Sequence, residues 1–173
     1  EVLQDAVLVQ TDALGNCFEI YLRDSAADAR ASELARLATP GGEEEWRALQ
    51  IDSGIGRIEE PTIESFVPQM LNYDLTGHIA FDKGCYIGQE VIARMDTYDK
   101  VRRELARVSL RNALPAGSPL ALDGRKRGQV LASFVLDEGA FAWAVVDRTL
   151  EPGAALDEGA ALITGAGGLP PRK

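Results

Sequence analysis

The hydrophobic pattern of this chain changes period near Tyr98, and that change restricts the possible folds more than any other feature. Before it, Ile87, Val91, Ile92, Met95 and Tyr98 recur close to helical spacing, so one helix face is expected to pack on a core. After it, residues 102–111 alternate around Leu105, Ala106, Val108 and Leu110, and residues 118–122, 128–136, 139–146 and 160–163 read as further strands separated by turn residues. Short strands with glycine and proline between them predict a small antiparallel barrel or sandwich. A long helix within residues 115–165 would contradict that expectation. The organisation expected is an α+β portion over residues 1–98, ending in a helix, and a β-barrel over residues 99–173.

The upstream portion begins with a strand over residues 6–10, a turn containing Asp12, Gly15 and Asn16, and a second strand to Leu22, which together predict a hairpin. Phe18, Ile20 and Leu22 alternate with Glu19 and Tyr21, which places Cys17 on the face opposite Phe18 in a structural role. Asp24 or Ser25 is expected to cap a helix running to Ala38, with Ala29, Leu34, Leu37 and Ala38 as its apolar stripe. Pro40 and the Gly41-Gly42 pair stop it. A second helix is expected over residues 43–53, opened by three acidic residues and closed by Gly54. Residues 54–84 contain Pro61 and Pro68 and read as irregular, with a short helical possibility over residues 67–71. Long connections of this kind tend to carry function.

The formal net charge of −9 argues against a broad electrostatic grip on nucleic acid, which needs clustered Lys and Arg. Arg102, Arg103, Arg107, Arg111, Arg125, Lys126 and Arg127 make the later region locally basic, as an anion surface or as a solvated sheet edge kept soluble by charge. No apolar run approaches the roughly 20 residues that span a bilayer, and no signal-peptide pattern opens the chain, so a cytoplasmic protein without a membrane partner is expected. Two cysteines and one histidine make neither a disulfide framework nor a zinc pattern, so no metal ligands are assigned. His78 could act as acid, base or ligand, or hold a structural or surface position.

The stretch with the most chemistry is KGCYIGQE, residues 83–90. It sets Cys85 just ahead of the expected helix, where unpaired amides and the helix dipole favour thiolate and Lys83 adds a cation. The same cysteine could instead be a small apolar residue filling a gap. The glycines in the stretch leave room for a ligand or partner to approach.

This octapeptide resembles the KGC(Y/F)xGQE signature of the YgfZ-type folate-binding proteins, relatives of the glycine-cleavage aminomethyltransferase. WRALQIDSGIGRI from Trp46, FVPQMLNYD from Phe66 and GHIAF from Gly77 precede it in that family's order. The resemblance implies that the first portion is part of a folate-binding, aminomethyltransferase-like α+β layer, and that the chain is the C-terminal part of a longer protein. It implies tetrahydrofolate as cofactor, with Trp46 and Tyr86 as candidates for the edge of its site. It also implies iron-sulfur client proteins, tRNA-modifying enzymes among them, and the net charge leads us to expect no direct nucleic-acid contact. The signature residues it marks are Lys83, Gly84, Cys85, Tyr86, Gly88, Gln89 and Glu90, with Cys85 as the functional thiol. Gln50 and Asp52 stand where related transferases carry arginine and glutamate, and glutamine supplies no fixed positive fork for a carboxylate. Gly54-Ile55-Gly56 replaces the family's Gly-Ile-Pro, a change expected to loosen the backbone. The expected function is that of a folate-binding accessory protein in iron-sulfur cluster assembly or repair; the alternative is a folate-dependent aminomethyl or methyl transferase.

Overall fold

The computed structural model describes residues 6–10, 18–43, 45, 46, 49, 54–98, 100–136 and 139–165. They fall into two compact units, Glu1–Trp46 and Arg47–Lys173.

In the first unit, β1 (Ala6–Gln10) and β2 (Phe18–Leu22) form the expected antiparallel hairpin. Ala6 lies opposite Leu22, Leu8 opposite Ile20 and Gln10 opposite Phe18 on one face, while Val7 opposite Tyr21 and Val9 opposite Glu19 lie on the other. Cys17 lies outside the described residues. The helix α1 (Asp24–Leu37) follows, but neither Asp24 nor Ser25 caps it. Arg23 holds the extended cap position without a side-chain bond, and Asp24 is already helical, so its charge acts on the helix dipole instead. Of the second expected helix, residues 43, 45, 46 and 49 are helical and the others lie outside the described residues. Its start is held by the Glu45 carboxylate, which accepts the Gly42 N–H at 2.8 Å. That bond and one to its own backbone keep the Glu45 carboxyl below its ordinary range, its own backbone contributing more.

The second unit opens with irregular chain containing two 3₁₀ turns, Glu60–Thr62 and Pro68–Leu71, followed by α2 (Gln89–Thr97). Six strands then build one antiparallel sheet: β3 (Arg103–Leu110), β4 (Pro119–Leu122), β5 (Arg125–Leu136), β6 (Gly139–Asp147), β7 (Ala155–Leu156) and β8 (Ala161–Gly165). Their order is β4-β5-β6-β3-β8-β7. Among the described residues between 115 and 165 the helical content is one 3₁₀ turn, Asp157–Gly159. The two-residue β7 lacks a run long enough to show alternation, and β5 begins three residues earlier than expected because Arg125 to Arg127 belong to the strand.

Two cores lie on opposite sides of β6. Ala140, Ala142, Ala144 and Val146 face the barrel interior with Ala106, Val108, Leu110, Leu120, Val130, Leu156, Ala161 and Ile163. Trp143 and Val145 face outward into a second cluster with Leu71, Leu105, Leu131 and Phe134, bordered by Phe66, Met70 and Tyr73 from the turn that crosses the sheet. A strand buried on both sides carries no polar alternation, which is why residues 139–146 are almost wholly apolar. A bulge in β5 between Val130 and Ala132 turns Leu131 to the outer cluster beside Ala132.

The sheet curls until its first and last strands nearly meet, and a side chain spans the seam. A bulge in β4 lies between Leu120 and Ala121, and the Ala121 N–H donates to Asp157 Oδ1 at 3.0 Å. Asp157 reaches it from a left-handed backbone (φ 48°) just past β7. On β5, across from Leu120, a Cβ on Gly128 would lie 2.9 Å from Val146 Cγ1 and 3.1 Å from the Val145 carbonyl, so only glycine allows β5 to approach β6 there.

Two stability changes are expected from these contacts. Asp157→Ala leaves a strand N–H without its acceptor and should cost about 1–2 kcal/mol, with Asp157→Asn recovering much of it, as read from urea-unfolding midpoints. Gly128→Ala should cost about 1–3 kcal/mol by the same measurement, through overpacking against backbone that cannot yield.

Candidate functional site

The signature stretch is held by a glycine whose conformation no other residue adopts cheaply. Tyr86 and Gln89 close a turn through the Gln89 N–H and the Tyr86 carbonyl at 3.2 Å, with Gly88 inside it at φ 89°. Gly88 is also the cap of α2: its carbonyl accepts from Val91 at 3.1 Å and Ile92 at 3.3 Å. Glu90 sits in the first helical turn, where its charge suits the dipole, and Gln89 beside it is half-buried.

This start corrects the expected apolar stripe. Ile87 precedes the cap, is 104% exposed, and contributes nothing to a helix face. Val91 and Tyr98 are also exposed, and α2 instead sets Ile92, Ala93 and Met95 in half-buried positions. The reason is the break at Gly88, which removes Ile87 from the helical register that its spacing suggests.

Cys85 is exposed with a free thiol, three residues before the cap rather than at it. Among the described residues it fills no gap. Across it, the Lys83 ammonium lies 4.9 Å from the centre of the half-buried Tyr86 ring, a cation–π contact of about 0.5–1 kcal/mol at an exposed site. The lysine cation is thus oriented by the tyrosine of the same signature. Gly84 differs from Gly88: its backbone is not left-handed, and a Cβ there would meet no atom within 4 Å. Trp46 belongs to the other compact unit, as a half-buried helical residue. Gln50 and Asp52 lie outside the described residues.

Three contacts, which the spacing of residues did not reveal, tie the Pro68–Leu71 turn to its surroundings, one of them to α2 and two to residues 54–56. Gln69, 1% exposed, donates from Nε2 to the Ile92 carbonyl of α2 at 2.8 Å. Asn72, in a left-handed conformation (φ 64°), donates from Nδ2 to the Gly54 carbonyl at 2.9 Å. Gly56 lies against Leu71, where a Cβ would be 2.9 Å from Leu71 Cδ2, and its N–H bonds to the Leu71 carbonyl at 3.1 Å. The second glycine of Gly54-Ile55-Gly56 is accordingly a point of close approach and not a loosening of the backbone. The signal that could have pointed to Gln69 and Asn72 is their position among apolar neighbours in FVPQMLNYD.

Along the outer side of α2, Glu90, Val91, Arg94, Met95 and Lys100 line an open cleft of about 320 Å³. Val91 and Met95 give it apolar surface, and the three charged residues give it both signs. Among the described residues no group of three or more His, Cys, Asp or Glu could hold a metal ion, and no helix is long and apolar enough to cross a membrane.

No family model matches the chain. It is 40% identical over 129 residues to the tRNA-modifying protein YgfZ of Edwardsiella ictaluri (strain 93-146), a match that covers 70% of this chain and 38% of that protein. It is 32% identical over 142 residues to the tRNA-modifying protein YgfZ of Escherichia coli O127:H6 (strain E2348/69 / EPEC), covering 78% of this chain and 44% of that protein. With the protein of the same name from Colwellia psychrerythraea (strain 34H / ATCC BAA-681) the identity is 33% over 127 residues, 70% of this chain and 39% of the relative. The chain therefore spans about two-fifths of the length of these relatives. Over that span, which includes the exposed Cys85 in KGCYIGQE, the chain belongs to the YgfZ family.

Proposed function

We propose that this chain acts within a tetrahydrofolate-binding accessory protein that supports iron-sulfur cluster assembly or repair in client enzymes, tRNA-modifying enzymes among them. The relatives' name, tRNA-modifying protein, supports a link to that process. A net charge of −9 supports an indirect link, through client proteins, over a direct hold on tRNA. The observation that carries the reading is the exposed thiol of Cys85, placed on a loop beside an oriented lysine.

The chemistry suited to such a thiol is attack on, or coordination of, something brought to it. An exposed sulfur can meet a folate-borne one-carbon unit, a cluster iron or a client thiol, whereas a buried one cannot. Lys83 supplies positive charge two residues away, its ammonium held over the Tyr86 ring. This emphasis on a thiol is what separates the reading from a folate-dependent aminomethyl transferase, in which a carboxylate assists transfer.

Cys85→Ser should leave the fold intact, because the side chain is exposed and the change nearly isosteric. It is expected to abolish support of iron-sulfur enzyme activity in cells lacking their own YgfZ, while Cys17→Ser retains it. Equal support by Cys85→Ser at equal expression would overturn the reading. For the cofactor, calorimetric titration with tetrahydrofolate is expected to show binding by a protein of the relatives' full length and at least tenfold weaker binding by this chain. A pterin site needs an enclosed wall, and this chain supplies part of one. Equal affinity would place the whole folate site within these 173 residues.

A further inference from the structure

The cleft along α2 is walled on one side only. Its lining residues, Glu90, Val91, Arg94, Met95 and Lys100, all come from the helix and the segment directly after it. The chain turns back there: the Lys100 N–H donates to the Met95 carbonyl at 3.2 Å, and the Lys100 ammonium lies 5.1 Å from the centre of the exposed Tyr98 ring. Lys83 over Tyr86 makes the same kind of contact before the helix, so an oriented lysine stands at each end of α2. A small-molecule pocket encloses most of its ligand, which one helix face cannot do. A protein segment brings the missing wall with it.

The side chains define what that segment must offer. Val91 is 50% exposed and, with Met95 one turn on, gives the cleft an apolar floor, while Ile87 and Tyr98 are exposed at the two ends of the helix. Large apolar side chains exposed close together mark a surface that something covers. Glu90 and Arg94 stand four residues apart with the glutamate first, the spacing and order that favour an ion pair on a helix. Among the described residues no ion pair joins them, and both are exposed. Arg94 and Lys100 set two cations toward the end of α2, and Glu90 sets one anion about 6 Å before Arg94 along the helix axis. Asp96, on the same helix, does not line the cleft. A carboxylate therefore suits one end and an N–H donor the other. Nucleic acid fits poorly, since Glu90 and a net charge of −9 repel phosphate.

We propose that this cleft docks a segment of a client protein in which an apolar side chain lies next to an Asp or Glu. The apolar group packs on Val91 and Met95, the carboxylate meets Arg94 and Lys100, and a backbone N–H meets Glu90. Glu90 closes the octapeptide that carries Cys85, so a client held here is brought to the thiol; the docking role deepens the function proposed above and rests on it.

Methionine supplies the readout, because the chain has two: Met95 in the cleft and Met70 beside the outer cluster of the sheet. The probe is the peptide acetyl-Glu-Leu-Asp-Leu-Glu-amide, titrated into the chain labelled with methyl-¹³C methionine. It is expected to shift the Met95 methyl signal saturably and to leave that of Met70 in place. Arg94→Glu, at an exposed position, should weaken the peptide by about fivefold. The same variant should bind acetyl-Lys-Leu-Lys-Leu-Lys-amide better than the unaltered chain does. An unmoved Met95, equal shifts of both methionines, or equal affinity of the unaltered chain for the two peptides overturns the proposal. So does p-aminobenzoylglutamate moving Met95 at lower concentration than the peptide, which would make the cleft a small-molecule site. In a protein of the relatives' full length, the fluorescein-labelled peptide should bind as it does to this chain when read by anisotropy. Loss of binding there would show the cleft covered by that protein's own remaining length and would also overturn the proposal. The titration needs no client and no thiol, so Cys85→Ser should keep the peptide affinity. A failed titration leaves the proposed function standing, and a failed Cys85→Ser prediction leaves the docking site standing.

Discussion

Burial of β6 on both faces is the constraint on which the rest of the second unit depends. Its inward residues are mostly alanine, so neighbouring strands can close around a narrow interior, while Trp143 and Val145 on the other face require cover. At roughly 25 cal/mol per Å² of apolar surface removed from water, side chains of that size contribute several kcal/mol only if something packs on them. The turn carrying Phe66, Met70, Leu71 and Tyr73 provides the cover. An otherwise irregular stretch is thereby held against the barrel by apolar burial, and not by regular secondary structure of its own.

From that turn, polar contacts extend outward to the signature. Leu71 is clasped by Gly56, Asn72 holds Gly54, and Gln69 reaches into α2 at the Ile92 carbonyl. Gln69 and Asn72 are buried donors, and loss of either side chain would leave a backbone carbonyl without its partner, at a cost of about 1–3 kcal/mol. Through Gln69 the packed turn holds a helix whose own side chains are nowhere fully buried. The exposed Cys85 loop is thus positioned from beneath, through the backbone that α2 shares with it.

Within the signature the fold accounts for some residues and not for others. Gly88 is required by its left-handed turn, and Glu90 by the helix start. Gly84, Cys85 and Ile87 meet no structural demand among the described residues: one has open space around it, and the other two are exposed. Residues that packing does not explain are those most readily explained by something that binds, and here they cluster within four positions of the thiol.

The sequence by itself determined the hairpin, α1, the change to two-residue periodicity and the family signature, because each depends on neighbours within a few residues along the chain. Alternation in β3 and the apolar run of β6 survive folding since a strand reads out its own pattern. The apolar spacing of Ile87 through Tyr98 misled in part: the left-handed Gly88 starts the helix after Ile87, which is exposed like Val91 and Tyr98, while Ile92 and Met95 keep half-buried positions. Only the tertiary structure decided that Gln69 would hold α2, that Gly56 would admit Leu71, and that Asp157 would bond a strand 36 residues away in sequence. In each of these a polar or small residue meets a partner far off in the chain, and no local period encodes such a meeting; it exists only once apolar burial has brought the two segments together.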